Sequence, residues 1–187
     1  AATDQLHVTG SIKFDGVATD RGNPATDRLR QLFSLSAAET VFMAGSTQEP
    51  EEQIAIQAWL ECRREYPSLR LILVPRHRER FDSVAKLVRD AGVELVRRST
   101  LESLADRPSG AVILLDTIGE LSACWGLADI AFVGGSFGNR GGQNMIEPAA
   151  FGAAVLFGPN TRNFRDVVQA FKEADACIQL QEPEELS

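Results

Sequence analysis

Residues 129–163 read DIAFVGGSFGNRGGQNMIEPAAFGAAVLFGPNTRN, and they indicate the fold more clearly than any other part of the chain. The apolar run 130–133 predicts a strand that ends at a glycine pair, and the run 155–157 predicts a second strand. A short helix is predicted to begin near Asn144, with Glu147 in its first turn. Neighbouring strand ends with glycine loops and a carboxylate between them are typical of a ligand crevice at the carboxyl edge of a parallel sheet.

The glycine loop after the first of these strands favours a bound anion. Backbone without side chains can approach a phosphate closely, and successive N–H groups can converge on it. The N-terminus of the helix predicted near Asn144 adds partial positive charge at the same place. The alternative is a tight loop whose glycines only satisfy backbone geometry. The loop lacks the G-x-G-x-x-G spacing and follows a late strand, which argues against a nicotinamide or flavin enzyme.

Composition restricts the class of protein. A chain of 187 residues with 44% hydrophobic residues suits one globular domain with a sizeable core. A net charge of -7 without a dense basic patch argues against a nucleic-acid partner. Three cysteines without a CxxC motif and two histidines argue against a metal site and a disulfide framework, so a reduced, cytoplasmic setting is expected. No apolar run approaches the roughly 20 residues of a membrane span, so the chain is expected to be soluble.

The rest of the chain alternates strands with helices. Besides 130–133 and 155–157, we predict strands at 41–44, 71–74, 93–96, 112–115 and 177–180, and helices at 24–35, around 54–62, 79–91, 116–127 and 164–174. Apolar strands alternating with helices indicate a parallel sheet covered by helices on both faces. A Rossmann-like order, 3-2-1-4-5-6, is the leading choice, and it places the ends of strands one, four and five beside the topological switch point.

Three short patterns allow both a structural and a binding interpretation. In the structural interpretation each pattern is a capping box, which pairs Ser46 with Glu49, Thr117 with Glu120, and Asn144 with Glu147. The binding interpretation stays open, because a capped helix still offers free N–H groups to a ligand. For Glu147, the position beside the glycine loop favours a carboxylate that accepts hydrogen bonds from both hydroxyls of a ribose. Arg76 follows the second predicted strand, where either a solvated side chain or a phosphate or base contact is expected.

Six motifs in order resemble the C-terminal half of the 3-deoxy-D-manno-octulosonic acid (Kdo) transferases of lipid A assembly. They are GST-x-E-x-EE at 45–52, LILVPRHRERF at 71–81, DTIGEL at 116–121, ADIAFVGGSF at 128–137, GGQNMIEPAAFG at 141–152 and LFGPNTRNFRD at 156–166. The stretch VTGSIKFD is similar to the family's inter-domain linker. The chain departs from the family at Gln48 and Gln143, where the family usually carries histidine; glutamine keeps the capacity to hydrogen-bond.

The resemblance implies a two-domain glycosyltransferase of the GT-B type. Residues 1–23 would be an inter-domain linker, and 24–187 a CMP-sugar-binding domain that is truncated at its C-terminus and lacks its N-terminal acceptor domain. The family moves Kdo from CMP-Kdo to a lipid A precursor in lipopolysaccharide biosynthesis, without a metal or another cofactor. The parent protein would lie at the cytoplasmic face of the bacterial inner membrane. Because the family's catalytic glutamate belongs to the N-terminal half, the resemblance implies no catalytic residue here and no activity for the chain alone.

The candidate site residues come from two sources. The resemblance, carried over residue by residue, assigns CMP contacts to Pro75, Arg76, Gly119, Glu120, Leu121, Asn144, Met145, Ile146 and Glu147. The glycine loop and the neighbouring strand ends predict further contacts with a phosphate or a sugar. These are Ser46, Gly134, Gly135, Ser136 and Gly142. Two alternatives stay open: another GT-B nucleotide-sugar enzyme, such as a UDP-sugar transferase or epimerase, and a non-catalytic nucleotide-binding module.

Overall fold

A computed structural model describes residues 14–101 and 110–187. Within these ranges a single sheet contains the strands β1 (Thr40–Thr47), β2 (Leu69–Pro75), β3 (Leu95–Arg97), β4 (Val112–Leu114), β5 (Ile130–Val133), β6 (Ala154–Phe157) and β7 (Cys177–Gln179). The α-helices are α1 (Pro24–Leu32), α2 (Glu51–Cys62), α3 (Phe81–Asp90), α4 (Leu121–Trp125), α5 (Ile146–Ala150) and α6 (Arg165–Glu173). Of the helices in these ranges, none is long and apolar enough to cross a membrane.

The sheet is parallel throughout, with the order β3-β4-β2-β1-β5-β6-β7. The predicted class, a parallel sheet with helices, is confirmed, but the predicted order 3-2-1-4-5-6 is wrong because β4 lies between β3 and β2. The side chains of β4 are fully buried, so this strand is flanked by a neighbour on each side, whereas the half-buried β3 forms an edge. The switch point therefore lies between β1 and β5, and the end of β4 does not flank it.

Two hydrophobic cores lie on opposite faces of the sheet. Alternate residues of β1 divide between them: Val41 and Met43 join the core under α1, α4 and α6, while Phe42 and Ala44 join the core under α2 and α3. Gly45 lets the indole of Trp125 reach β1, because a Cβ at this glycine would lie 2.3 Å from the ring atom Cη2. Because each of the two cores is covered by helices, both faces of the sheet carry helices, as predicted.

Several element boundaries differ from the predictions. The helix predicted at 116–127 spans only Leu121–Trp125, since Gly119 has φ +90° and lies outside the helical region. Ser46 has φ +55° and does not cap α2, which begins at Glu51 after Pro50 and has no side-chain cap, so the proposed Ser46–Glu49 capping box is wrong. The helix predicted to run to residue 35 ends at Leu32.

The predicted linker is described only in part, because residues 1–13 lie outside the described ranges. Arg21, within the described part, fastens this segment to the sheet: its Nε donates to the carbonyl of Phe151 at 2.5 Å and its Nη2 to that of Ala128 at 2.7 Å. Asn23 then caps α1. Residues 102–109 of the loop predicted at 98–110 also lie outside these ranges.

Candidate functional site

The carboxyl ends of β1 and β5 meet at the switch point, the place where an open parallel sheet forms a crevice for its ligand. The loop after β5 closes on itself through the N–H of Gly142, which donates to the carbonyl of Gly135 at 2.8 Å. It is also tied to the loop after β6, because the N–H of Asn160 donates to the carbonyl of Ser136 at 2.9 Å. The crevice wall on this side is therefore one hydrogen-bonded unit.

A buried carboxylate, Glu51, organises the glycine loop. Its Oε2 accepts the N–H of Gly135 at 2.7 Å and of Gln48 at 2.8 Å, and its Oε1 accepts those of Ser136 at 2.8 Å and Phe137 at 3.0 Å. The side chain is fully enclosed, with 1% of its surface exposed. The idea that successive N–H groups of this loop converge on a phosphate is therefore wrong: they converge on an internal carboxylate.

The remaining polar groups of the loop also have internal partners. The N–H of Gly134 donates to the carbonyl of Gly45 at 2.9 Å. The Ser136 hydroxyl donates to the carbonyl of Val133 at 2.8 Å and accepts the N–H of Gly158 at 2.9 Å. Ser46 is buried at the end of β1. These bonds already use the N–H groups of residues 134–137 and of Gly142, so this part of the loop offers a ligand mainly its surface.

Gly134 is needed for the close approach of β5 to β1. A Cβ at this position would lie 2.6 Å from the Cα of Thr47 and 2.7 Å from Oε2 of Glu51. The two glutamines at which the sequence departs from the family resemblance lie in the same region. Gln143 packs over Gly135, and the side-chain nitrogen of Gln48 is buried without a hydrogen-bond partner among the described residues.

A second carboxylate, Glu147, lies in the first turn of α5. Its Oε1 accepts a hydrogen bond from Nδ2 of Asn144 at 2.7 Å, and Oδ1 of Asn144 accepts the N–H of Ile146 at 3.0 Å. Asn144 thus orients the carboxylate, while Oε2 of Glu147 has no hydrogen-bond partner in residues 14–101 and 110–187. The side chain is half-buried. This arrangement differs from a capping box, because the acid bonds to an amide side chain and not to the backbone.

The two residues between Asn144 and Glu147 face inward. Met145 is fully buried and Ile146 nearly so, and both belong to the core under α1, α4 and α6. Only their backbone atoms can contact a ligand in the crevice. With five residues, α5 is also too short to supply the helix-terminus charge expected from the sequence.

The motif after β4 is fixed by an ion pair that the sequence did not suggest. Oε1 of Glu120 accepts from Nη2 of Arg98 at 2.9 Å, and the Thr117 hydroxyl donates to the other carboxylate oxygen. Gly119 is exposed, and Leu121 opens α4, which packs against α5. The Gly119–Leu121 motif and the Asn144–Glu147 motif are therefore joined through two short helices in contact.

Asp116 anchors the segment that carries Arg98. Its carboxylate accepts from Nε of Arg97 at 2.6 Å and from the N–H of Ser99 at 2.7 Å and its hydroxyl at 2.5 Å. Burial alone would raise the pKa of Asp116, but these hydrogen bonds from Ser99 and Arg97 lower the pKa below its ordinary value.

Pro75 and Arg76 stand at the end of β2, next to β1. The N–H of Arg76 donates to the carbonyl of Thr47 at 2.9 Å, which fixes its backbone at the crevice edge. Its guanidinium is exposed and pairs with no acid among the described residues. The described residues also hold no group of histidines, cysteines and acids suited to a metal ion.

The comparisons with known proteins point to one family. The chain is 37% identical over 177 residues to the 3-deoxy-D-manno-octulosonic acid transferase of Haemophilus influenzae. The matched region covers 95% of this chain and 40% of that relative. It is 36% identical over 181 residues to the transferase of the same name from Bordetella pertussis, with 95% and 41% coverage. The chain thus spans about 40% of the length of these curated relatives. No family model matches the sequence.

Solved structures agree with this result. The C-terminal CMP-Kdo binding domain of WaaA from Acinetobacter baumannii superimposes with a TM-score of 0.78 at 32% identity, covering 86% of this chain and 82% of that one. The C-terminal domain of a glycosyl transferase group 1 family protein from Francisella tularensis gives a TM-score of 0.53 at 15% identity over 91% of this chain and 80% of that one. The second likeness shows a shared fold alone.

Proposed function

This chain belongs to the 3-deoxy-D-manno-octulosonic acid transferase family, and from that premise we propose that it binds the donor CMP-Kdo at the carboxyl edge of its sheet. The likeness to the Acinetobacter domain carries the proposal, because it extends over 86% of the chain at 32% identity. Oε2 of Glu147, which has no hydrogen-bond partner among the described residues, supports it, since ligands of open parallel sheets bind at the switch point.

The roles of the individual residues follow from their surroundings. Glu147 offers Oε2 to the ribose hydroxyls while Asn144 holds Oε1, so the carboxylate is oriented before the ligand arrives. Arg76, exposed and without an acidic partner in the described ranges, binds the phosphate or the base of the nucleotide in a chain that otherwise has excess negative charge. Gly119, Glu120 and Leu121 complete the nucleotide side of the crevice.

We revise how the glycine loop would contact the phosphate or the sugar of the donor. The residues concerned are Ser46, Gly134, Gly135, Ser136 and Gly142. Because the loop N–H groups from 134 to 137 and that of Gly142 are already bonded, we propose that this loop shapes the crevice by its surface and not as a row of N–H donors.

The wider function is also a proposal. The donor would serve the transfer of Kdo to a lipid A precursor in lipopolysaccharide biosynthesis, at the cytoplasmic face of the bacterial inner membrane and without a metal or another cofactor. The chain spans about 40% of the length of its curated relatives, and the family resemblance implies that the catalytic glutamate and the acceptor groove belong to the other part. We therefore propose that the chain alone binds the donor without transferring it.

A nucleotide titration followed by NMR tests donor binding. We expect CMP to bind saturably, with the largest backbone shift changes at residues 75–76, 119–121 and 144–147, and to bind more tightly than UDP. Cytidine without phosphate serves as the control for the contribution of the phosphate. If CMP does not saturate the chain, donor binding here is wrong, and if UDP binds as tightly as CMP, a UDP-sugar enzyme of the same fold becomes the better interpretation.

A further inference from the structure

A second, polar cavity of about 260 Å³ lies between the loops that follow β5 and β6. Two of its lining residues are arginines and none is acidic: Asn139, Gly141, Pro159, Asn160, Thr161, Arg162 and Arg165. Its volume lies below the roughly 300–1,000 Å³ of pockets that enclose a whole ligand, so it suits one group of a larger molecule.

The position of Arg162 depends on the glycine loop. A Cβ at Gly141 would lie 2.5 Å from Cγ and 3.0 Å from Nε of Arg162, so any other residue at this position would displace the arginine side chain. Gly141 also has φ +90°. The following residue fixes the segment, because Asn163 donates its N–H to the carbonyl of Gly141 at 2.9 Å and its Nδ2 to that of Arg140 at 2.8 Å.

Arg162 and Arg165, like Arg76, have no acidic partner among the described residues, whereas five other arginines do. Arg21, Arg70, Arg80, Arg97 and Arg98 each pair with an Asp or Glu. No such pair forms at Arg162 or Arg165 in the described part of the chain, although the acids outnumber the basic residues 26 to 19. Two like charges that line one cavity repel each other, and an oxyanion between them would relieve the repulsion.

We propose that this cavity binds the carboxylate of the donor's sugar acid through Arg162 and Arg165, an inference that rests on the proposed binding of CMP-Kdo. The cavity adjoins the nucleotide site along the chain, since the loop from Gly141 leads directly to Asn144 and Glu147. A sugar joined to a nucleotide at Glu147 can therefore reach the cavity. A guanidinium matches a carboxylate with paired N–H donors, which sorts a sugar acid from a neutral sugar.

Calorimetric titration of the chain with CMP and with CMP-Kdo tests this assignment. The variant Arg162→Gln/Arg165→Gln is compared with Arg28→Gln/Arg89→Gln, which makes the same charge change at two exposed helix positions away from the cavity. In the cavity variant we expect CMP affinity within about twofold of wild type and CMP-Kdo affinity lower by tenfold or more. The control variant should bind both ligands as the wild type does.

Three results would overturn the assignment. Unchanged CMP-Kdo affinity in the cavity variant would show that the arginines do not contact the donor. Equal losses for CMP and CMP-Kdo would assign them to the phosphate, which both ligands share. Equal affinity of the wild type for the two ligands would exclude a contribution from the sugar carboxylate.

The titrations also separate a failure of this inference from a failure of the proposed function. A wild-type chain that binds neither ligand would refute the proposed function together with this inference, whereas a chain that binds CMP normally isolates the failure to the cavity. Should the double variant unfold, the single change Arg165→Gln, at the exposed first residue of α6, is expected to give a smaller loss in the same direction.

Discussion

Glu51 and Glu147 occupy similar places and have different surroundings. Each lies in the first turn of a helix at the carboxyl edge of the sheet. Glu51 is enclosed and accepts four backbone N–H groups, whereas Glu147 is half-buried and accepts one side-chain amide among the described residues. The residue type and the position are therefore not enough to assign a binding role. The oxygen atoms that the fold leaves without partners distinguish the two.

Removing Glu51 should give the largest effect on stability. In Glu51→Ala the N–H groups of Gly135, Ser136 and Phe137 in the glycine loop and that of Gln48 lose their acceptor. Each buried group left unsatisfied costs about 1–3 kcal/mol. We expect the free energy of unfolding to fall by about 3 kcal/mol or more, measured by denaturant titration. The exposed Glu65→Ala provides the control, and a loss for Glu51→Ala as small as the control's would show that the carboxylate does not hold the loop.

The glycine that faces Glu51 should come next. Gly134→Ala places a methyl group against the backbone of β1 and the Glu51 carboxylate, and overpacking of this kind costs about 1–3 kcal/mol. Gly138→Ala in the same loop has no atom within 4 Å of the added Cβ and should change stability by less than about 0.5 kcal/mol. Equal thermal shifts for the two variants would contradict the close packing at Gly134.

Asp116 extends the comparison to a third carboxylate at the same edge of the sheet. Its pKa is lowered in the folded chain by Ser99 and Arg97 in spite of burial, so it stabilises the fold above the ordinary aspartate pKa of about 4. That contribution is lost as the pH falls through the lowered folded pKa. We expect wild type to lose about 1 kcal/mol more than Asp116→Asn between pH 5 and pH 2. Parallel stability curves for the two proteins would disprove the pairing.

Arg76 should affect binding alone, since its side chain is exposed. Arg76→Ala is expected to weaken CMP binding about fivefold to tenfold without a change in stability, and Arg76→Lys to recover part of the loss, because lysine keeps the charge but lacks the planar fork. A lysine variant equal to wild type, with an affinity that falls strongly in high salt, would reduce the role of Arg76 to a diffuse positive charge.

The sequence predicted what depends on local patterns. Apolar runs located the strands to within two residues at each end, except for β1, which ends at Thr47, three residues beyond its predicted end. The Asn144–Glu147 pair was recognisable because its members lie three positions apart. The order of the strands was not predictable in this way, because similar apolar runs form both central and edge strands. Only the structure shows that β2 and β4 are fully buried central strands and that the half-buried β3 is at the edge. The contact of Glu51 with the glycine loop spans 84 to 86 residues, so no local motif announces it.

The most direct test of the account is the CMP affinity of Glu147→Ala, measured by calorimetry together with its free energy of unfolding. We expect an affinity lower by roughly tenfold or more, from the loss of a charge-assisted contact with the ribose, and a stability change within about 1 kcal/mol. Glu65→Ala should leave both quantities unchanged. A Glu147→Ala chain that binds CMP as tightly as wild type but loses about 0.5–2 kcal/mol of stability would contradict the account, because Glu147 would then only support its helix.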